Sequence, residues 1–128
     1  MNEQYRELLF IDLCGRIPYK VRMFEIEPVN NIQSNLTLLS ITNKESVICI
    51  TPSGGVIGSS IDAFKPYLYP LSSMTGRLKA ELFNLRIDIE DPFQDTLCEI
   101  DFYHRNHFDY RGLIEKGLAI DATGLNIY

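Results

Sequence analysis

The segment most densely supplied with reactive side chains is His104-Arg105-Asn106-His107-Phe108-Asp109-Tyr110-Arg111-Gly112. With Asp101 upstream, Asp101, His104 and His107 stand at i, i+3 and i+6. On a helix, two histidines three apart can converge on a metal, and a neighbouring carboxylate can ligate it or orient an imidazole. Zinc asks for three or four ligands, and only Asp95, Glu99 and Asp109 are at hand to complete a set. Histidines hydrogen-bonded within the core are the simpler expectation, and a metal-binding protein or metal-assisted hydrolase the sharper alternative.

Other routes to catalysis find little support. There is no Gly-x-Ser-x-Gly elbow. Cys98 lies about 120° from His104 around a helix, so the two cannot share a face. The glycine-rich run Thr51-Pro52-Ser53-Gly54-Gly55-Val56-Ile57-Gly58 matches neither the Walker nor the dinucleotide pattern and has no lysine for a phosphate. A hairpin turn accounts for it.

The strongest charge feature is Asp88, Glu90, Asp91, Asp95, Glu99 and Asp101, with no Lys or Arg between residues 87 and 104. Acids near a helix start stabilise its positive dipole end. That covers Asp91 and Asp95 and leaves Glu99 unexplained. The functional alternative is an acidic surface that steers a basic partner or mimics a nucleic-acid backbone. Tyr67 and Tyr69, between Pro66 and Pro70, form an aromatic cluster with Phe64. It reads as core cover or as a peptide-binding surface, since tyrosine is enriched at interface hot spots. Leu113 and Ile114 carry the same ambiguity.

The elements that position these residues follow from periodicity. Residues 3–14 read as a helix with Tyr5, Leu8, Leu9 and Leu13 on one side, Gly15 as a left-handed stop and Pro18 as a barrier. Residues 19–27 alternate with period two, and a one-residue phase change near Phe24 predicts a β-bulge. Residues 28–31 are turn chemistry. Residues 36–42 and 46–51 predict two strands joined by a short hairpin at 43–45, and residues 56–61 a fourth. Residues 65–71, with Pro66 and Pro70, read as an extended connector laid across the sheet. Thr75 caps a helix that carries Leu78, Leu82 and Leu85.

Pro92 opens the next helix. On it Phe93, Leu97, Ile100, His104, His107 and Phe108 lie within about 60° of one direction, so both histidines continue an apolar stripe. Asp109 caps a last helix over 110–116, with Gly117 its stop and residues 118–120 an extended tail. A helix-turn-helix reading of 93–116 is opposed by its acidity.

Composition bounds the rest. A chain of 128 residues, 45% apolar and 23% charged, suits one globular domain, 1–128, without disulfides or metal. Cys14, Cys49 and Cys98 have no framework or ligand spacing and read as three buried thiols in a reducing compartment. Residues 1–64 carry five basic and seven acidic residues, and 65–128 seven and ten, so neither half is a basic nucleic-acid module. No apolar run reaches about 18 residues, and the charged start is no secretory signal. A cytoplasmic setting follows.

Two blocks carry a resemblance: Lys65-Pro66-Tyr67-Leu68-Tyr69-Pro70-Leu71-Ser72-Ser73-Met74-Thr75 and His107-Phe108-Asp109-Tyr110-Arg111-Gly112-Leu113-Ile114-Glu115-Lys116-Gly117-Leu118-Ala119. They resemble small uncharacterised proteins of gut Bacteroidetes and their phages or prophages, as does, loosely, the N-terminal helix through Pro18. The resemblance implies a bacterial or phage setting and supplies no mechanism.

The reading is therefore an α+β protein with a small antiparallel sheet of three or four strands, an N-terminal helix and a C-terminal helical half. Its expected role is a non-catalytic, phage-associated module that binds another protein, self-association included, without cofactor or membrane. The candidate binding residues are Tyr67, Tyr69, His104, His107, Tyr110 and Arg111. The alternatives are the metal site on the Asp101/His104/His107 face and an acidic inhibitor or nucleic-acid mimic.

Overall fold

The computed structural model describes residues 1–27, 36–43 and 45–128; the turn expected at 28–31 lies outside them, as does the middle of the hairpin at 43–45. Helix α1 spans Glu3–Arg16, with Asn2 capping it by accepting from Tyr5 N. Leu9 and Leu13 are fully buried, and Tyr5 and Leu8 pack on the same core. Gly15 is not a stop: it is a helical residue, and the chain leaves through a 3-10 turn over Ile17–Tyr19. The left-handed position falls instead on Lys20, with φ 56°. Gly15 answers to space, because a Cβ there would sit 2.5 Å from His104 Cε1.

Strands β1 (Arg22–Glu25), β2 (Leu36–Thr42), β3 (Ser46–Ile50) and β4 (Val56–Ser60) form an antiparallel meander. Val21, Met23 and Glu25 are buried while Arg22 and Phe24 are half-buried, so the phase change expected in β1 is absent. The register shift is in the β2–β3 pair, between Leu38 and Ser40. Reading Glu25 as a solvent residue produced the error, since the structure buries it.

Residues 65–71 are the larger correction. They belong to a true strand, β5 (Phe64–Pro70), which lies antiparallel to β1. Two short strands, β6 (Phe108–Asp109) and β7 (Ile120–Asp121), run parallel to β5. The sheet thus has order β4-β3-β2-β1-β5-β6, with β7 also on β5, and exceeds the expected three or four strands. A proline cannot donate to a ladder. Pro66 pairs with β1 at Met23 and Pro70 with β6 at Asp109, while β7 takes the intervening Tyr67 and Leu68. Each proline therefore has a strand partner on one side alone.

Helix α2 spans Gly76–Arg86, with Thr75 Oγ1 accepting from Leu78 N, and α3 spans Pro92–Arg105, with Asp91 accepting from Phe93 N. Of the expected α2 face, Leu82 is buried and Leu78 packs beside it, but Leu85 is exposed. α3 ends before His107, which has φ 62°. Residues 110–116 form turns rather than a helix. The capping logic survives, since Asp109 accepts from Leu113 N and Ile114 N and Gly117 has φ 75°. The main core unites α1 with the sheet; a second cluster of Leu82, Phe102 and Phe108 ties the helical hairpin to β5. Among the described residues no helix is long and apolar enough to cross a membrane.

Candidate functional site

The expected site residues divide between two places. His104, Tyr110 and Arg111 join a buried polar node built on α1. Asp12 and Arg16, one turn apart and 0% exposed, pair through Arg16 Nε–Asp12 Oδ2 at 2.7 Å and Arg16 Nη2–Asp12 Oδ1 at 3.2 Å. Arg16 Nη2 also donates to the Phe108 carbonyl at 2.6 Å. Arg111 Nε approaches Asp12 Oδ1 to 3.3 Å, an ion-pair contact outside hydrogen-bond geometry. Both guanidiniums flank the Tyr110 ring, at 5.6 Å for Arg16 and 5.0 Å for Arg111. One carboxylate thus faces two cations.

His104 Nε2 and the Tyr110 hydroxyl are 2.7 Å apart, with the imidazole tautomer setting which of them donates. Burial, then the charge of Arg16, lowers the His104 pKa. Burial raises that of Tyr110. The node welds α1, the end of α3 and the turn after β6 together.

His107 and Tyr69 meet elsewhere. His107 follows the C-cap of α3, at a position that glycine commonly takes. Its carbonyl accepts from Tyr69 N at 2.8 Å, which turns the chain into β6. The imidazole stacks on Tyr128, with centroids 3.6 Å and planes 11° apart. Burial, aided by Arg16 and Arg22, lowers the His107 pKa to about 4. The Tyr128 hydroxyl accepts from Arg22 N and donates to the Tyr67 carbonyl. A cleft of about 330 Å³ opens here, lined among others by Tyr69, Ser73, Thr75, Arg105, His107 and Tyr128. Tyr67 is 5% exposed and packs edge-on against Phe24.

Asp101 is taken up by other partners: the Tyr19 hydroxyl donates to it, and Arg105 lies 3.8 Å away. With His107 off the helix, the i, i+3, i+6 face does not exist. Among the described residues no group of three His, Cys, Asp or Glu side chains is placed to hold a metal ion. The acidic run is not uncompensated either. Arg86 reaches across from α2 to Asp95, at 2.6 and 2.8 Å, and to Glu99. The cysteines also differ from expectation: Cys49 is buried, with its thiol pushed up to about 12, but Cys14 is exposed and Cys98 half-buried.

The helical hairpin carries what the periodicity did not foresee. The stripe expected to be core is bare at its start, with Phe93 66% and Leu97 45% exposed, while Ile100 and His104 further along are half-buried. Phe83 on α2 and Ile87 at its C-cap, 62% and 58% exposed, border a groove of about 400 Å³ that Leu82, Arg86, Asp95 and Tyr103 also line.

Asp12 and Arg16 were missed as interior residues, and Tyr128 as the ring that stacks on His107. The i, i+4 spacing of Asp12 and Arg16 was legible, but it ordinarily marks a solvated pair. Comparison with models of known protein families, with curated proteins and with solved structures returned no match.

Proposed function

We propose that this protein is a non-catalytic interaction module that docks onto protein through the uncovered first half of α3. One observation carries the reading: Phe93 and Leu97 continue the apolar line of Ile100 and His104, yet nothing among the described residues covers them. A stripe at i, i+4, i+7 spacing is the pattern by which a helix seats on another surface. Burying such a side chain contributes roughly 1.5–3 kcal/mol. Two large residues thus supply a substantial driving force that the fold itself does not use. A bacterial or phage setting rests on the likeness of residues 65–75 and 107–119.

The test is site-specific photo-cross-linking. A benzophenone amino acid at position 97 should give covalent adducts with protein, in lysate of the native cells or in the purified chain, whereas one at Glu81 should not. Leu97→Lys should leave the free energy of unfolding in urea within about 0.5 kcal/mol of wild type, as exposed positions do. A stability loss of several times that would make the stripe core cover, and an absence of adducts under both conditions would end the docking reading.

A further inference from the structure

We infer that the occupant of this stripe is a second copy of the same chain, its α3 packed antiparallel across a two-fold axis near Leu97. The inference rests on the docking reading above and adds the identity of the partner. Three features of α3 single out self-association.

The first is the charge beside the stripe. At 100° per residue, Phe93, Leu97 and Ile100 fall within about 60° of one another, and Gln94 and Thr96, both uncharged, flank them. Asp95 and Glu99 project to the opposite side, where Arg86 holds them. A chain of net charge −5 would ordinarily repel its copy through an acidic helix. The acid nearest the seam, Asp101, lies at its edge and is engaged by the Tyr19 hydroxyl and Arg105, so like can meet like.

The second is the charge at the two ends of the helix. Asp88, Glu90 and Asp91 stand before or at its start, and Arg105 stands at its end. Arg105 is 48% exposed, and its ion pair with Asp101 is loose, at 3.8 Å. An antiparallel pairing centred on Leu97 sets Phe93 against Ile100 and Asp101 of the second copy. It also brings Glu90 level with His104 and Arg105 of that copy. Acid then faces base at both ends, and the helix dipoles oppose. A parallel pairing would bring the two acidic ends together.

The third is the narrowness of the bare seam. From Phe93 to Ile100 it runs about 10 Å along the axis. That suits a single helix crossing rather than a broad protein surface. Isologous contact doubles it, since each residue is buried twice.

Sedimentation equilibrium of the full chain from about 1 to 500 µM tests this. A reversible monomer–dimer equilibrium in the micromolar range is expected. Leu97→Lys and, as a second variant, Phe93→Ser should each weaken it at least tenfold, while Phe83→Lys on α2 should leave it unchanged. Arg105→Glu should weaken it several-fold, and adding Glu90→Lys should restore it if the pairing is antiparallel. A wild-type monomer at the highest concentration, a dimer indifferent to Leu97→Lys, or failure of the double charge swap to restore association would each overturn the inference. Position-97 cross-links to a different polypeptide, with a monomeric purified chain, would sink the second copy and leave the docking reading standing.

Discussion

Gly15→Ala is the substitution whose sign the tertiary structure reverses. In an isolated helix, alanine in place of an interior glycine stabilises by about 0.8–1.0 kcal/mol. In this protein the new Cβ would stand 2.5 Å from His104 Cε1 and 3.2 Å from both ring nitrogens. The imidazole is not free to swing away, because Nε2 is bonded to the Tyr110 hydroxyl at 2.7 Å and the rings of Tyr19 and Tyr110 sit beside it. Displacing it strains that hydrogen bond, and overpacking as a whole costs typically 1–3 kcal/mol. The net change in the wild-type background is therefore a loss of about 0–2 kcal/mol. In a His104→Ala background the obstacle is gone, and Gly15→Ala should stabilise by about 1 kcal/mol. The coupling between the two sites is then about 1–3 kcal/mol. Urea unfolding of the four proteins measures it, with equal slopes as the check on two-state behaviour. If Gly15→Ala stabilises equally in both backgrounds, the close approach of His104 to α1 is wrong.

The polar node and the α3 terminus yield two further expectations. Asp12→Leu leaves the Arg16 and Arg111 guanidiniums without their shared anion and should cost about 3–5 kcal/mol; Arg16→Met leaves Asp12 beside Arg111 and should cost less, and urea midpoints in the opposite order would refute this account of the node. His107 sets a pH dependence: its folded pKa is near 4 against an ordinary 6.5, so between those values the unfolded chain binds more protons. Stability is fully present above about pH 6.5 and falls on acidification, with a slope of at most ~1.4 kcal/mol per pH unit from this group. His107→Asn, which tolerates the left-handed backbone, should flatten that slope in thermal melts from pH 7 to about 4.5, and an unchanged slope would assign the acid sensitivity to other groups.

The two histidines show how far sequence reasoning carries. Their spacing was read as one helical face, and for His104 that held: it lies on α3 and packs against α1. For His107 it failed, because the helix stops at Arg105 and the residue takes the left-handed turn. Period alone cannot see a helix end that no glycine or proline marks. Asp109 and Gly117 were legible as a cap and a stop, yet the segment between them is too short to propagate as a helix. In α2, the same logic identified Thr75 as the cap and Leu82 as buried, but could not say that Leu85 faces solvent.

What the amino-acid order determined by itself is local. The caps at Thr75 and near Pro92, the hairpin strands β2 and β3, and the apolar side of α1 follow from backbone preference and periodicity, which act over a few residues. What only the tertiary structure decided is long-range: Pro66 and Pro70 accepted into a strand, Glu25 and the Asp12–Arg16 pair drawn inside, and Arg86 brought to Asp95 and Glu99. The uncovered start of the α3 stripe is of the same kind. A helical pattern specifies which side of an element is apolar; whether anything covers that side depends on where distant segments pack.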